Sequence, residues 1–203
     1  MVQLLKTTQL EAVNILLGAI GEAPVSSLEN TQLEDVAVAQ NILNETIVDV
    51  QSTGYNFNTE YNFKINPDID GNINVPNNTV FADVSNRGTT PHLDVVLRGE
   101  RLYDRENRTF TFTDPVDLDL ILILPWPDLP QPCRRYITVK AARRFQNRVF
   151  GSDTLNGFTN TDENEALVQM EQADARSEDA NILTRNWGVF RILSRNGPRR
   201  YNL

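Results

Sequence analysis

Few side chains in this sequence are of the kinds that do chemistry. His92 is the only histidine and Cys133 the only cysteine. A hydrolytic triad needs a base beside a nucleophile, and no Gly-x-Ser-x-Gly elbow exists to present one. His92 therefore reads as an ordinary loop residue. Cys133 stands at a predicted helix start, where a thiolate is favoured; with no partner it reads as a packing residue. No set of Cys and His has zinc spacing. Asp68, Asp70 and Asn72 alternate around Gly71 like part of a calcium loop, but the further acids that pattern needs are missing, so a turn is expected. Asp117 and Asp119 share one face of a predicted strand, about 7 Å apart by strand rise. Glycosidases use carboxylate pairs at such separations. Acid–base work also needs two differently tuned environments facing a cleft, and the plainer expectation is the solvent side of a half-buried strand. No catalytic residue, cofactor or metal ligand is assigned.

Charge is the more informative chemistry. Lys140, Arg144 and Arg148 recur every fourth residue along a predicted helix, with Arg134, Arg135 and Arg143 beside them. The next predicted helix is acidic, with Glu171, Asp174 and Glu178 prominent. Two readings stand side by side: ion pairs between neighbouring helices, each of small value at a surface, or a basic face on one copy meeting an acidic face on the next. Charge segregated between faces favours head-to-tail rings.

The stretch Arg185 to Leu203 carries five arginines and no carboxylate, on a chain whose net charge is −8. Arg185, Arg191, Arg195, Arg199 and Arg200 alternate with apolar Trp187, Val189, Phe190, Ile192 and Leu193. That mixture is too apolar for a solvated linker and too short for a core, and it suits a docking arm. Burying its large apolar side chains yields on the order of 10 kcal/mol gross. Ordering the backbone costs about 1–2 kcal/mol per residue. One arm alone therefore binds poorly, whereas many arms presented together gain from effective concentration. The arm makes most sense in a multimer.

The elements behind these groups follow from periodicity. Leu10, Val13, Leu17 and Ile20 form a helical stripe, with a capping box at Thr8 and Glu11 and a stop at Gly21 and Pro24. Thr31 and Glu34 open a second helix whose stripe is Val36, Ala39, Leu43, Ile47 and Val50, ended by Gly54. Tyr55, Phe57, Tyr61, Phe63 and Ile65 then alternate as a strand does. Further short strands are predicted at Val80–Val84, Leu93–Leu97, Arg101–Asp104 and Arg108–Thr113, with the strongest at Asp117–Leu124. Helix returns from about Arg134 to Phe150 and again from about Asp162 to Leu183, the last with a seam of small residues. The predicted class is α+β: an antiparallel helical bundle with a β-rich insertion between its second and third helices and an extended C-terminal arm. The divisions are 1–57 and 128–184 for the two halves of the bundle, 58–127 for the insertion and 185–203 for the arm.

Composition narrows the function. Forty per cent apolar residues supply a core, while no apolar run is long enough to span a membrane and no signal peptide is evident. A lone cysteine suits a reducing compartment. The acidic balance argues against a general nucleic-acid binder but suits a surface that DNA slides past.

Four stretches, in order, are similar to one family. They are Leu10-x-Ala12-Val13-Asn14-x-x-Leu17-x-x-Ile20-Gly21-Glu22-x-Pro24-Val25; Gly54-Tyr55-x-Phe57-Asn58; Leu102-Tyr103-Asp104-Arg105; and Arg135-Tyr136-Ile137-x-x-Lys140-Ala141-Ala142-Arg143-x-Phe145-x-x-Arg148. From about Leu10 to about Ala180 the chain resembles the tail tubular protein A family, the head-to-tail adaptors of short-tailed bacteriophages. The resemblance implies a structural virion protein of the tail, assembled in the host cytoplasm, without enzymatic activity. It implies a homododecameric ring between the portal protein and the tail nozzle protein (tail tubular protein B), with tail fibres nearby and double-stranded DNA passing through the channel. On that reading the arm, through Arg185, Trp187, Phe190, Arg191, Ile192, Leu193, Arg195, Arg199 and Arg200, docks on the portal. Lys140, Arg144, Arg148, Glu171, Asp174 and Glu178 are the expected subunit contacts. A virion-associated polysaccharide hydrolase using Asp117 and Asp119, and a transient assembly factor, are the competing readings.

Overall fold

The computed structural model describes residues 6–29, 33–86, 88–89, 92–150 and 160–177. Helix α1, Gln9–Ala19, opens on the expected reciprocal cap: the Thr8 hydroxyl accepts from the Glu11 N–H at 3.1 Å, and the Glu11 carboxylate accepts from the Thr8 N–H at 2.7 Å. Its buried face is Ala12, Val13, Leu16 and Leu17, so the predicted stripe is rotated and Leu10 and Ile20 sit at its rim. Helix α2, Glu34–Gln51, starts from Leu33 with no side-chain cap bond. The predicted Thr31–Glu34 box is therefore not its cap, and Thr31 lies outside the described residues. Its predicted stripe, Val36 through Val50, is buried throughout.

Helix α3, Gln131–Phe150, begins a turn earlier than the sequence suggested. Pro132 stands in the first turn, where a missing N–H breaks no helical bond. Helix α4, Asn160–Ser177, buries Ala166 and Met170; Ala173 is half-buried, Ser177 is exposed and Ala180 lies outside the described residues. α3 packs against α1, α2 and α4, and its Phe145, Ile137, Val139, Ala141 and Ala142 are fully buried. One apolar cluster spans the helices.

Between α2 and α3 the chain is mostly extended. Strands β1 (Thr59–Ile65), β2 (Thr79–Val84) and β5 (Val116–Leu122) form a three-stranded antiparallel sheet in the order β1-β5-β2. Strands β3 (Val95–Arg98) and β4 (Arg101–Asp104) form a two-stranded hairpin. The central strand is the one with the longest apolar run, as a strand with neighbours on both edges requires. Val116, Leu118 and Leu120 join Ala82, Val84, Val95, Leu102, Ile73 and Phe112 in a second core.

Two strand predictions need correction. The alternation from Tyr55 does not mark one strand: Asn56–Asn58 is a 3-10 turn, and β1 is bulged between Glu60 and Phe63, with Asn62 at φ +57°. Arg108–Thr113 is not a strand either; only single bridges form there, Asp104 with Thr109 and Asn72 with Thr111. The chain is thus a mixed α+β protein of packed helices and antiparallel sheets.

Buried amides join the two cores. Gln51, at the end of α2, donates to the Leu124 carbonyl at 3.1 Å and accepts from the Leu124 N–H at 2.8 Å. The Asn58 amide donates to the carbonyls of Gln51 and Leu122, both at 2.8 Å. Gly54 lets the backbone turn between them at φ +80°; a Cβ there would lie 2.6 Å from Ile121 Cδ1 on β5.

Candidate interaction surfaces

The chemically capable groups are held in structural roles. Asp117 is buried, not on a solvent face, and its carboxylate accepts from the Thr89 N–H at 2.8 Å and the Thr89 hydroxyl at 2.9 Å. The Thr89 N–H first, then its hydroxyl, hold Asp117 below the ordinary carboxylate range, with Lys64 adding to the effect. A glycosidase acid needs the opposite shift. Asp119 accepts from the Asn62 N–H at 2.9 Å and so fixes the β1 bulge. Cys133 is fully buried, and burial pushes its thiol up to about 12, with Asp174 adding to the rise and Arg134 opposing it. Desolvation outweighs the helix start, so the thiolate is absent at neutral pH. Asp68 closes a turn by accepting from the N–H groups of Asp70 and Asn72 at 2.9 and 2.8 Å. His92 is exposed in a turn. Among the described residues no group of three or more His, Cys, Asp or Glu side chains is arranged to hold a metal ion, and no helix is long and apolar enough to cross a membrane.

The charged helices are partly engaged within the chain. Arg143 pairs with Glu163 at 2.5 Å and also donates to Asn160, tying α3 to α4. Arg144 pairs with Asp49 at 2.7 Å and donates to Thr46, tying α3 to α2. Lys140 reaches back one turn to Tyr136, 3.3 Å from its hydroxyl. Asp174 accepts from the Asn56 N–H and side-chain amide and from the Phe57 N–H, at 3.0 to 3.1 Å, which docks α4 on the 3-10 turn. Of the predicted subunit contacts, Lys140, Arg144 and Asp174 therefore have partners inside the chain. Arg148 and Glu171 are exposed. Glu178 and the whole arm, Arg185 to Leu203 with Trp187, Phe190, Arg191, Ile192, Leu193, Arg195, Arg199 and Arg200, lie outside the described residues.

The β3–β4 hairpin builds a different surface. Gly99, at φ +64°, makes its tip, and Arg98 and Arg101 flank it as cross-strand partners. Asp104, buried, closes the next turn by accepting from the Asn107 N–H and side-chain amide at 2.9 and 2.8 Å. The Asn107 side chain first, then its N–H, lower the Asp104 carboxyl from its ordinary value. This turn brings Phe110 edge-on to Tyr103, ring centres 4.9 Å apart. The Arg98 guanidinium lies 3.6 Å over Tyr103 and that of Arg101 4.4 Å over Phe110.

Several structural residues escaped the sequence reading. Arg134 counted there as helix charge, yet it is buried and donates to the carbonyls of Leu129, Thr7 and Pro127. Trp126 Nε1 donates to the same Thr7 carbonyl at 2.9 Å. Gln51 and Asn58 carried no periodic signal; Asn58 belonged only to the Gly54–Asn58 motif. That motif now has a physical content: a left-handed glycine, Tyr55 and Phe57 rings stacked at 5.6 Å, and an amide that stitches helix to sheet.

Comparison with known proteins gives this architecture a context. The family described as tail tubular protein matches residues 10–180. The tail tubular protein A of Klebsiella phage KP34 is 31% identical over 129 residues, covering 64% of this chain and 66% of that relative, slightly less than two thirds of its length. The family match takes in both cores, the amides between them and all four motifs, and on that extent the chain belongs to the tail tubular protein family.

Proposed function

We propose that this chain is a ring-forming head-to-tail adaptor of a short-tailed phage, joining the portal protein to the tail nozzle protein and leaving a central channel for DNA. The family match over residues 10–180 carries the reading. The internal engagement of Asp117, Asp119 and Cys133 supports a structural over an enzymatic role. On this proposal the helices form the bundle that builds the ring wall, and residues 58–127 are an insertion directed to the nozzle and the fibre attachment region. The separate cores support that division. The net charge of −8 supports a channel that repels DNA and keeps it moving.

The basic arm from Arg185 docks on the portal, gripping with Trp187 and Phe190 while its arginines meet carboxylates. Deleting Arg185 to Leu203 tests this with purified portal in a pull-down. Loss of binding with an unchanged circular-dichroism spectrum is expected; undiminished binding would refute the arm's role.

A further inference from the structure

We propose that the Arg98–Arg101 hairpin tip is a docking surface for a second copy of this chain, receiving the exposed Glu165–Val168–Glu171 face of its α4. The proposal deepens the ring reading above and rests on it.

The hairpin side is preorganised. A guanidinium stacked on an aromatic ring loses little further freedom on binding, and its N–H edge stays directed outward. Both arginines are exposed, and among the described residues neither takes part in an ion pair or a side-chain hydrogen bond. Arg105, the next arginine, already has Asp94 at 3.6 Å. The surface therefore offers two ordered cations around the half-buried rings of Tyr103 and Phe110. Planar, bidentate recognition by arginine fits carboxylates.

The α4 side has the complementary layout. Val168 is 49% exposed, and Glu165 and Glu171 flank it three residues away on the same side of the helix. Both glutamates are exposed and, among the described residues, outside any ion pair. Two other acids of α4 differ: Glu163 faces Arg143 and Asp174 faces Asn56 and Phe57. An apolar side chain flanked by two carboxylates is the charge complement of two guanidiniums that lie over two rings. No ion pair among the described residues joins the hairpin to α4 within the chain, so the match is available between copies. Because the two surfaces differ, the contact is head-to-tail, the kind that closes into rings.

Sedimentation velocity of the full chain over a concentration series at low salt tests this. Self-association of the wild type is expected. Arg98→Glu with Arg101→Glu should weaken it about tenfold or more, and Glu165→Arg with Glu171→Arg should do the same. An equimolar mixture of the two variants should regain association, since each presents what the other lacks; a general structural effect would not be rescued by mixing. A wild type that stays monomeric throughout, undiminished association in either variant, or a mixture that stays dissociated overturns the proposal. Arginine-dependent retention of duplex DNA with self-association unchanged would overturn it in favour of a nucleic-acid contact. Electron microscopy of phage particles separates the two levels. A ring containing the chain with variants that assemble normally ends only the hairpin contact, whereas particles without the chain end the adaptor reading too.

Discussion

The arginines that brace the helices and those at the β3–β4 hairpin tip are used in different ways. In the helices, Arg143, Arg144 and Asp174 hold elements of one chain together across α2, α3, α4 and the Asn56–Asn58 turn. On the β3–β4 hairpin, Arg98 and Arg101 rest on aromatic rings with no acidic partner among the described residues. The same residue type is a brace in one region and an outward surface in the other. A stripe of arginines is therefore weak grounds for an interface; what decides is whether the folded chain already supplies the counter-charge.

The two regions also differ in what holds them. The helical core is a continuous apolar cluster around Phe145, and the strand core closes around Leu118 and Leu120. Phe145→Ala should cost about 3–5 kcal/mol, measured by denaturant unfolding. Leu118→Ala should cost about 2–5 kcal/mol. Each should shift one shared transition; separate transitions for the two regions would show that the cores unfold independently.

The joint between them gives the next effect. Gln51→Ala would strand the Leu124 N–H and carbonyl and should cost about 2–4 kcal/mol. The same variant should broaden or split the transition if the amide is what couples the cores. Gly54→Ala forces an L-residue to φ +80° against Ile121 and should cost about 1–3 kcal/mol.

Acid should reach the extended region first. Asp68, Asp104 and Asp117 all have carboxyls lowered by hydrogen bonds, and all lie in or beside the strands. A lowered folded value means each contributes stability above the unfolded value of about 3.9, lost as pH falls through the folded value. Asp117→Asn should flatten that acid dependence, read as the midpoint of thermal unfolding between neutral pH and about pH 3. Smallest of all, Arg144→Ala removes a half-exposed pair with Asp49 and should change stability by less than about 1 kcal/mol.

Much of this was legible before the structure. The Thr8–Glu11 cap and the α2 stripe follow from local chemistry and period and are where the sequence put them, while the central strand is found but runs Val116–Leu122 rather than Asp117–Leu124. What escaped reading depended on contacts distant in sequence. Asp117 looked like a solvent-facing acid because alternation cannot reveal a loop folded over the strand; Gly88 and Thr89 cover it. Tyr55 and Phe57 had strand spacing, but the stacked rings and the Asn58 amide favour a tight turn. Arg144 and Arg148 share a helical face with the same spacing, yet Asp49 distinguishes them, and no periodicity announces a partner on another helix. The Arg98 and Arg101 surface was hidden for a related reason. The segment around Phe110 looked like one more strand, whereas the Asp104–Asn107 turn folds it back to place Phe110 beneath Arg101, while Tyr103 of β4 lies beneath Arg98.

The most direct test of the adaptor account is cryo-electron microscopy of the tail vertex of the phage that encodes this chain. The account predicts a closed ring of this fold between portal and nozzle, with α4 of each subunit against the β3–β4 hairpin of the next. Density at that position that cannot accommodate this fold, in particles whose protein content lacks the chain, would contradict it.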